Sequence, residues 1–136
     1  MISIRKAASA LALLATVGAH AQDAGQLNVI CSVQAVWCNA IQTAYAQATG
    51  VKVNMALKGS GEALAQLIAE RANPKTDVWF GGTGDPHLQA AEEGLTEPYK
   101  SPRMGELQDW AVRQWEASKG RTVGIYAGAL GWLDGG

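Results

Sequence analysis

The sequence predicts an α/β fold with an open, mostly parallel sheet flanked by helices. The main observation is the order of its periodic segments, because short apolar runs alternate with helical stretches three times between residues 27 and 94. Each connection between successive runs is long enough to hold a helix, which favours parallel pairing through right-handed crossovers. Such a sheet is covered by helices on both faces.

The first strand is predicted over residues 27–31, a short apolar run that ends at a cysteine. A helix follows over residues 35–48, and Gly50 is placed to end it. The apolar positions of this helix fall on one stripe, formed by Trp37, Ile41, Ala44, Tyr45 and Ala48. A stripe of this kind is typical of a helix face that packs on a core.

The second unit has a strand over residues 51–57, where apolar and polar side chains alternate. A glycine-rich loop at residues 58–61 leads into a helix that Glu62 opens and that ends before Pro74. The two glycines and the serine of that loop make it a candidate for contact with a ligand.

The third unit has a short strand over residues 77–80 and a tight glycine loop at residues 81–84. Asp85 is predicted to cap the next helix, and Pro86 to take its first position. Gly94 suits the left-handed residue just past the end of that helix.

The rest of the chain is less regular. Residues 96–105 are predicted to be irregular because two prolines and a glycine interrupt them. Trp110 and Trp115 lie in a mixed segment that we assign to no element, and residues 122–126 are predicted as one more strand. There are no internal repeats.

The N-terminus has the pattern of a secretory signal peptide over residues 1–21. Arg5 and Lys6 precede a small apolar run that is too short to span a bilayer, and residues 19–21 form a small-x-small cleavage site. A buried first helix is the alternative. Cleavage would leave residues 22–136, and because it removes two of 11 cations and none of 12 anions, the formal charge would fall from −1 to −3.

The composition favours one folded domain without a nucleic-acid surface. The chain has 136 residues, and its 48% hydrophobic content argues against disorder. It has no basic stripe and no interleaving of aromatic with basic residues, so nucleic acid is excluded as a partner.

Cys31 and Cys38 are the two cysteines of the sequence. In an oxidising compartment they would pair, and the bridge would clamp the end of the first strand to the helix after it. A redox pair or a metal site are the alternatives. The spacing is wider than C-x-x-C and no second Cys or His pair completes a zinc set, so we favour a structural disulfide.

A ligand site is predicted at the carboxyl ends of the strands, where ligands bind in open α/β sheets. Each strand there leads into a helix N-terminus, whose free N–H groups and dipole favour an anion. The site would be a cleft for a small polar, anionic solute, although such loops are often only turns and caps. Its candidate residues are Ser32, Gln34, Trp37, Gly59, Ser60, Gly61, Glu62, Gly82 and Thr83.

Several single residues have two interpretations. Glu62 either complements a helix dipole or binds a hard cation or a ligand amine. Trp37 and Trp79 either flank the cleft or pack in the core. His87 is expected to be a lone surface histidine. No catalytic set is found and no cofactor is expected, because His87 is the one imidazole left after cleavage.

Five segments resemble type II periplasmic binding proteins, in the branch that includes ferric-iron, thiamine and aminoethylphosphonate binders. In order along the chain they are residues 27–32, 48–53, 59–64, 76–82 and 91–95. The resemblance covers about residues 27–131. Single motifs are weak, and their order and spacing carry the similarity.

The resemblance implies a two-lobed periplasmic protein that closes on a solute and delivers it to an ABC permease. Residues 22–136 would be its N-terminal lobe, truncated before the second lobe, and acting as a monomer with weak or absent binding of its own. Glu62 matches the glutamate of the ferric binders. Their histidine falls near Gln34, a poor iron ligand, so ferric iron is in doubt.

Two other functions stay open at this point. One is an exported α/β enzyme that acts on a phosphorylated or carboxylated small molecule. The other is a thiol-redox protein centred on Cys31 and Cys38. The missing acid–base partners count against the first, and a thiol count decides the second.

Overall fold

Three parallel strands form the sheet of the computed structural model, which describes residues 25–128. They are β1 (Gln26–Cys31), β2 (Lys52–Leu57) and β3 (Val78–Phe80). Their order is β2-β1-β3, and β1 pairs in parallel with both neighbours. The predicted fold class, an open parallel sheet flanked by helices, is confirmed. The predicted signal peptide at residues 1–21 lies outside the described residues.

Each strand leads into a helix, as the alternation of segments predicts. The helices are α1 (Ala35–Thr49), α2 (Ser60–Glu70) and α3 (Gly84–Glu92), and a fourth, α4 (Asp109–Ala117), follows a short 3-10 helix at Met104–Glu106. None of the helices between residues 25 and 128 has the length and apolar character that a membrane span requires.

Glycine ends two of these helices where the sequence predicts it. Gly50 follows α1 with φ 74° and donates its N–H to Ala46 O. After α3, Gly94 has φ 71° and donates to Ala91 O, while the next amide, of Leu95, reaches back to Ala90 O. This pair of bonds satisfies carbonyls that would otherwise lack a donor, and a left-handed glycine makes it possible.

Two helix starts differ from the prediction. Ser60 and Gly61 are not loop residues but the first two residues of α2, and Glu62 is its third. Helix α3 begins at Gly84 after an extended Thr83, so Asp85 is not its cap and Pro86 is not its first residue. Proline fits this third position as well, because the first N–H groups of a helix have no partner within the helix.

The predicted strand at residues 122–126 is wrong. The structure assigns no strand there, and a groove of about 840 Å³ lies between β3 and this segment. Gly124 N–H instead bonds to Ala111 O in α4. A strand needs a partner ladder, and this segment has none among residues 25–128. Helix α4 itself was not predicted, although it contains Trp110 and Trp115.

The predicted core stripe of α1 faces outward. Trp37 is 51% exposed and Tyr45 43% exposed, while Cys38 is fully buried. Two contacts fix this rotation: the Cys38 disulfide, and Gln42 Nε2, which donates to Val53 O of β2 at 2.8 Å. The helix therefore turns a mixed face to the sheet and its more apolar face outward.

The predicted disulfide between Cys31 and Cys38 is present. It joins the last residue of β1 to the first turns of α1, with a Cα–Cα distance of 6.0 Å. Both cysteines are almost completely buried beside Ile30. The bridge therefore fixes the first helix against the sheet at the carboxyl end of the central strand.

Candidate functional site

The loops after the three strands meet at the carboxyl edge of the sheet. Thr83 N–H, before α3, donates to Ser60 Oγ, in the first turn of α2, at 3.0 Å. A Cβ at Gly82 would collide with Ser60 Oγ and would lie 3.0 Å from Cβ of Ser32, the residue after β1. We call these four residues, Ser32, Ser60, Gly82 and Thr83, the rim.

Left-handed glycines shape the third of these loops. Gly81 has φ 77° and Gly82 has φ 96°, a region that residues with side chains rarely adopt. Gly82 N–H donates to the Tyr126 hydroxyl at 2.8 Å, and that hydroxyl donates to Gly82 O at 2.9 Å. The His87 ring contacts Gly81 O at 2.7 Å through Nε2. The turn is therefore fixed by side chains from two different segments.

The two serine hydroxyls of the rim each accept one hydrogen bond. Ser32 Oγ accepts the indole N–H of Trp79 at 2.8 Å, and Ser60 Oγ accepts Thr83 N–H at 3.0 Å. Within residues 25–128 neither hydroxyl has an acceptor for its own proton. Each can therefore donate to an oxygen of a bound molecule.

The amides at the start of α2 add further donors beside Ser60. In none of the first three helices does the side chain of the N-cap residue accept a hydrogen bond from the first turn. The N–H groups of Ser60 and Gly61 find no protein acceptor within the described range. Those of Gly82 and Thr83 are already bonded to Tyr126 and Ser60. They therefore hold the rim together, while the first turn of α2 offers its amides to a ligand.

Glu62 serves as a cap in this structure. Its Oε2 accepts Gly59 N–H at 3.0 Å, the return bond typical of a glutamate at the third helical position. The side chain is otherwise exposed, and residues 25–128 contain no group of three or more His, Cys, Asp or Glu that could hold a metal ion. This contact supports the interpretation that Glu62 caps α2 and complements its dipole.

His87 is not the lone surface residue that the sequence suggested. Its ring stacks on Trp79 with centroids 3.7 Å apart and an angle of 24° between the planes. Burial lowers the pKa of His87, and the hydrogen bond with Gly81 O opposes this only in part. Because Trp79 also holds Ser32, the stacked pair connects the first loop to the third and belongs to the support of the rim.

Beside the rim lies an open depression of about 590 Å³ between α1 and residue 126. Its lining residues are Ser32, Val33, Gln34, Trp37 and Tyr126. The rings of Trp37 and Tyr126 meet edge to face, with centroids 6.3 Å apart. Sequence reasoning missed Tyr126 as a site residue, since its position at the end of a supposed strand gave no sign that it would reach Gly82.

The candidate residues fall into three groups. Ser32, Ser60, Gly82 and Thr83 form the rim; Gly59, Gly61 and Glu62 belong to the start of α2; and Gln34 and Trp37 line the depression. The structure thus brings parts of all three loops together on one edge.

No family model matches the chain. An uncharacterized protein of Haemophilus influenzae is 40% identical to it over 132 residues, which are 96% of this chain and 38% of the relative. The chain therefore spans well under half of this relative.

Solved structures that resemble the chain are periplasmic binding proteins. The periplasmic binding protein P5PA matches 71% of this chain at 34% identity, with a TM-score of 0.66. AfuA from Actinobacillus pleuropneumoniae, solved with exogenous fructose-6-phosphate bound, matches 62% at 40% identity, with a TM-score of 0.61. Iron-bound HitA from Pseudomonas aeruginosa, at 22% identity and a TM-score of 0.59, shares the fold.

The matches cover 31%, 27% and 28% of those three structures. The chain thus has the fold of part of a periplasmic binding protein. The two structures above 30% identity, P5PA and AfuA, are periplasmic binding proteins, which supports a binding function.

Proposed function

We propose that this chain is the solute-capturing part of an ABC uptake system and binds a small anionic solute at the rim. The observation that carries the proposal is the set of donors at one edge: two serine hydroxyls with unused protons and the first amides of α2. Such a cluster of donors suits anionic oxygens, and the positive end of the helix dipole adds to the attraction.

We propose a phosphorylated sugar as the solute. AfuA, which was solved with fructose-6-phosphate, is 40% identical to the matched part of this chain. A phosphate group suits the start of α2 because its oxygens accept several N–H and O–H bonds at once. Ferric iron is disfavoured, since the exposed amide of Gln34 is a poor iron ligand.

The setting of this function is also part of the proposal. Residues 1–21 would direct export, and residues 22–136 would act as a monomeric N-terminal lobe that works with a permease of the inner membrane. The open shape of the depression supports weak binding by this chain, on the order of millimolar, because one wall buries little of a ligand's surface.

A titration followed by 15N NMR tests the proposal, since NMR detects binding at this strength. Fructose 6-phosphate is expected to shift the amides of Ser60, Gly61 and Glu62, and inorganic phosphate to shift the same amides. Fructose, which lacks the phosphate, is the control and is expected to leave them unchanged. Equal shifts with fructose, or no shifts at the start of α2 with either phosphate compound, would refute the proposal.

Glu62→Gln separates the two interpretations of that residue. Glutamine retains an oxygen that can accept Gly59 N–H but loses the charge that complements the helix dipole, so we expect a small loss of stability, about 0.3–1 kcal/mol, in urea unfolding. It also removes a negative charge near the proposed phosphate, so fructose 6-phosphate should bind roughly twofold more tightly at low salt. Dissociation constants from the same NMR titration check this. Weaker binding by the variant would show that the carboxylate itself contacts the solute.

A further inference from the structure

We propose that Trp37 and Tyr126 form an aromatic wall that binds the sugar ring of the solute and so selects sugar phosphates over other phosphate compounds. This inference rests on the function proposed above. It names the residues that contact the sugar ring, which is the part of the solute that the rim does not hold. The wall and the donors of the rim lie on the same edge of the sheet, because Ser32 belongs to the rim and also lines the depression.

The rings of Trp37 and Tyr126 are partly exposed to solvent and lie beside polar groups. Trp37 is 51% exposed and Tyr126 is 42% exposed, although both are large side chains that proteins usually cover. Their edge-to-face contact, at 6.3 Å between centroids, leaves aromatic surface open toward the depression. Apolar walls with a few polar groups are the usual lining of a small-molecule site.

The Tyr126 ring and the backbone that carries Trp37 are both held in place before any ligand binds. Tyr126 is fixed by its two hydrogen bonds to Gly82, at 2.8 and 2.9 Å. Trp37 directly precedes Cys38, whose disulfide ties this part of α1 to β1. A wall that is already ordered loses little conformational entropy when a ligand docks, which favours binding.

A sugar ring matches the chemistry of this depression. One side of a sugar ring presents C–H groups with partial positive charge, and the face of an aromatic ring carries partial negative charge. The edge of the sugar carries hydroxyls, and two polar side chains lie next to the wall: Ser32, with its free proton, and Gln34, whose amide makes no hydrogen bond to residues 25–128. An inorganic phosphate can use the Ser32 hydroxyl of the rim, but it would contact neither the aromatic wall nor Gln34.

The test compares two variants with two ligands on the full chain. Trp37→Ala removes part of the wall, and Ile41→Ala, one turn further along α1, removes an exposed apolar side chain that does not line the depression. For Trp37→Ala we expect binding of fructose 6-phosphate to weaken by about threefold to tenfold and binding of inorganic phosphate to stay unchanged. Ile41→Ala should leave both dissociation constants unchanged.

The possible results separate the inference from the proposed function. If Trp37→Ala leaves binding of the sugar phosphate unchanged, or weakens both ligands equally, the aromatic wall is wrong while the anion site stands. If Ile41→Ala weakens sugar phosphate binding as much as Trp37→Ala, the effect belongs to the exposed face of α1 as a whole and the wall is also wrong. If the parent protein binds neither ligand at the start of α2, the proposed function fails, and the inference fails with it.

Discussion

Gly82→Ala is expected to destabilise the protein by about 2–4 kcal/mol and to open the rim. Gly82 has φ 96°, where an alanine is strained, and its new Cβ would collide with Ser60 Oγ and approach Ser32 Cβ. These atoms belong to the ends of two other loops, so relief of the collision has to separate them. We therefore expect the variant to lose the shifts that fructose 6-phosphate causes at the start of α2.

Gly61→Ala is the matched control for this substitution. A Cβ at Gly61 meets no atom within 4 Å, and the residue lies in the first turn of α2. Alanine should therefore stabilise the protein by about 0.5–1 kcal/mol. Urea unfolding of both variants gives the comparison. A Gly82→Ala protein as stable as the parent would mean that the three loops are not packed as described.

Replacing both Cys31 and Cys38 by alanine is expected to cost about 2.5 kcal/mol of stability. The bridge closes a loop with a sequence separation of 7, and a closed loop of this length restricts the unfolded chain by about that amount. The bridge is also buried, so the variant loses packing at the contact between β1 and α1. Urea unfolding at equal protein concentration measures the change.

The parent protein with its disulfide reduced is the control for the cysteine variant. Reduction removes the same constraint without a change of sequence, so both proteins should lose similar stability. A thiol-reactive dye should label no cysteine in the folded, oxidised parent. Rapid reduction of the bridge under mild conditions, with little loss of stability, would instead support the redox interpretation.

The sheet was predictable because its strands and helix ends have local causes. The apolar runs that became β1, β2 and β3 begin within one residue of their predicted starts. Gly50 and Gly94 end their helices because a left-handed residue is needed at those points. Local signals of this kind lie within a few residues of the feature that they determine.

The errors concern features that depend on distant partners. The apolar stripe of α1 gave the wrong buried face because the disulfide and the bond from Gln42 to Val53 O set the rotation of the helix. The strand predicted at residues 122–126 did not form, and the N–H groups of Thr122 and Gly124 bond to Ser118 Oγ and Ala111 O instead of to a neighbouring strand. Periodicity within one segment contains no information about such partners.

The difference between features with local signals and features that depend on distant partners also applies to the candidate site. Ser32, Ser60 and Gly82 could be placed together because the carboxyl ends of parallel strands share one edge of a sheet. Tyr126 could not, because it follows α4 by nine residues and reaches the site through a tertiary contact. The stacking of His87 on Trp79 was missed for the same reason, since the two residues belong to different elements.

Hydrogen exchange of individual amides tests the central claim most directly, because it distinguishes N–H groups that hold the rim from those offered to a ligand. In the free protein we expect slow exchange at Gly82 and Thr83, which have acceptors, and fast exchange at Gly61, which has none within residues 25–128. Saturating fructose 6-phosphate should slow exchange at Gly61 and leave the other two unchanged. Slow exchange at Gly61 without ligand, or no slowing with it, would contradict the account.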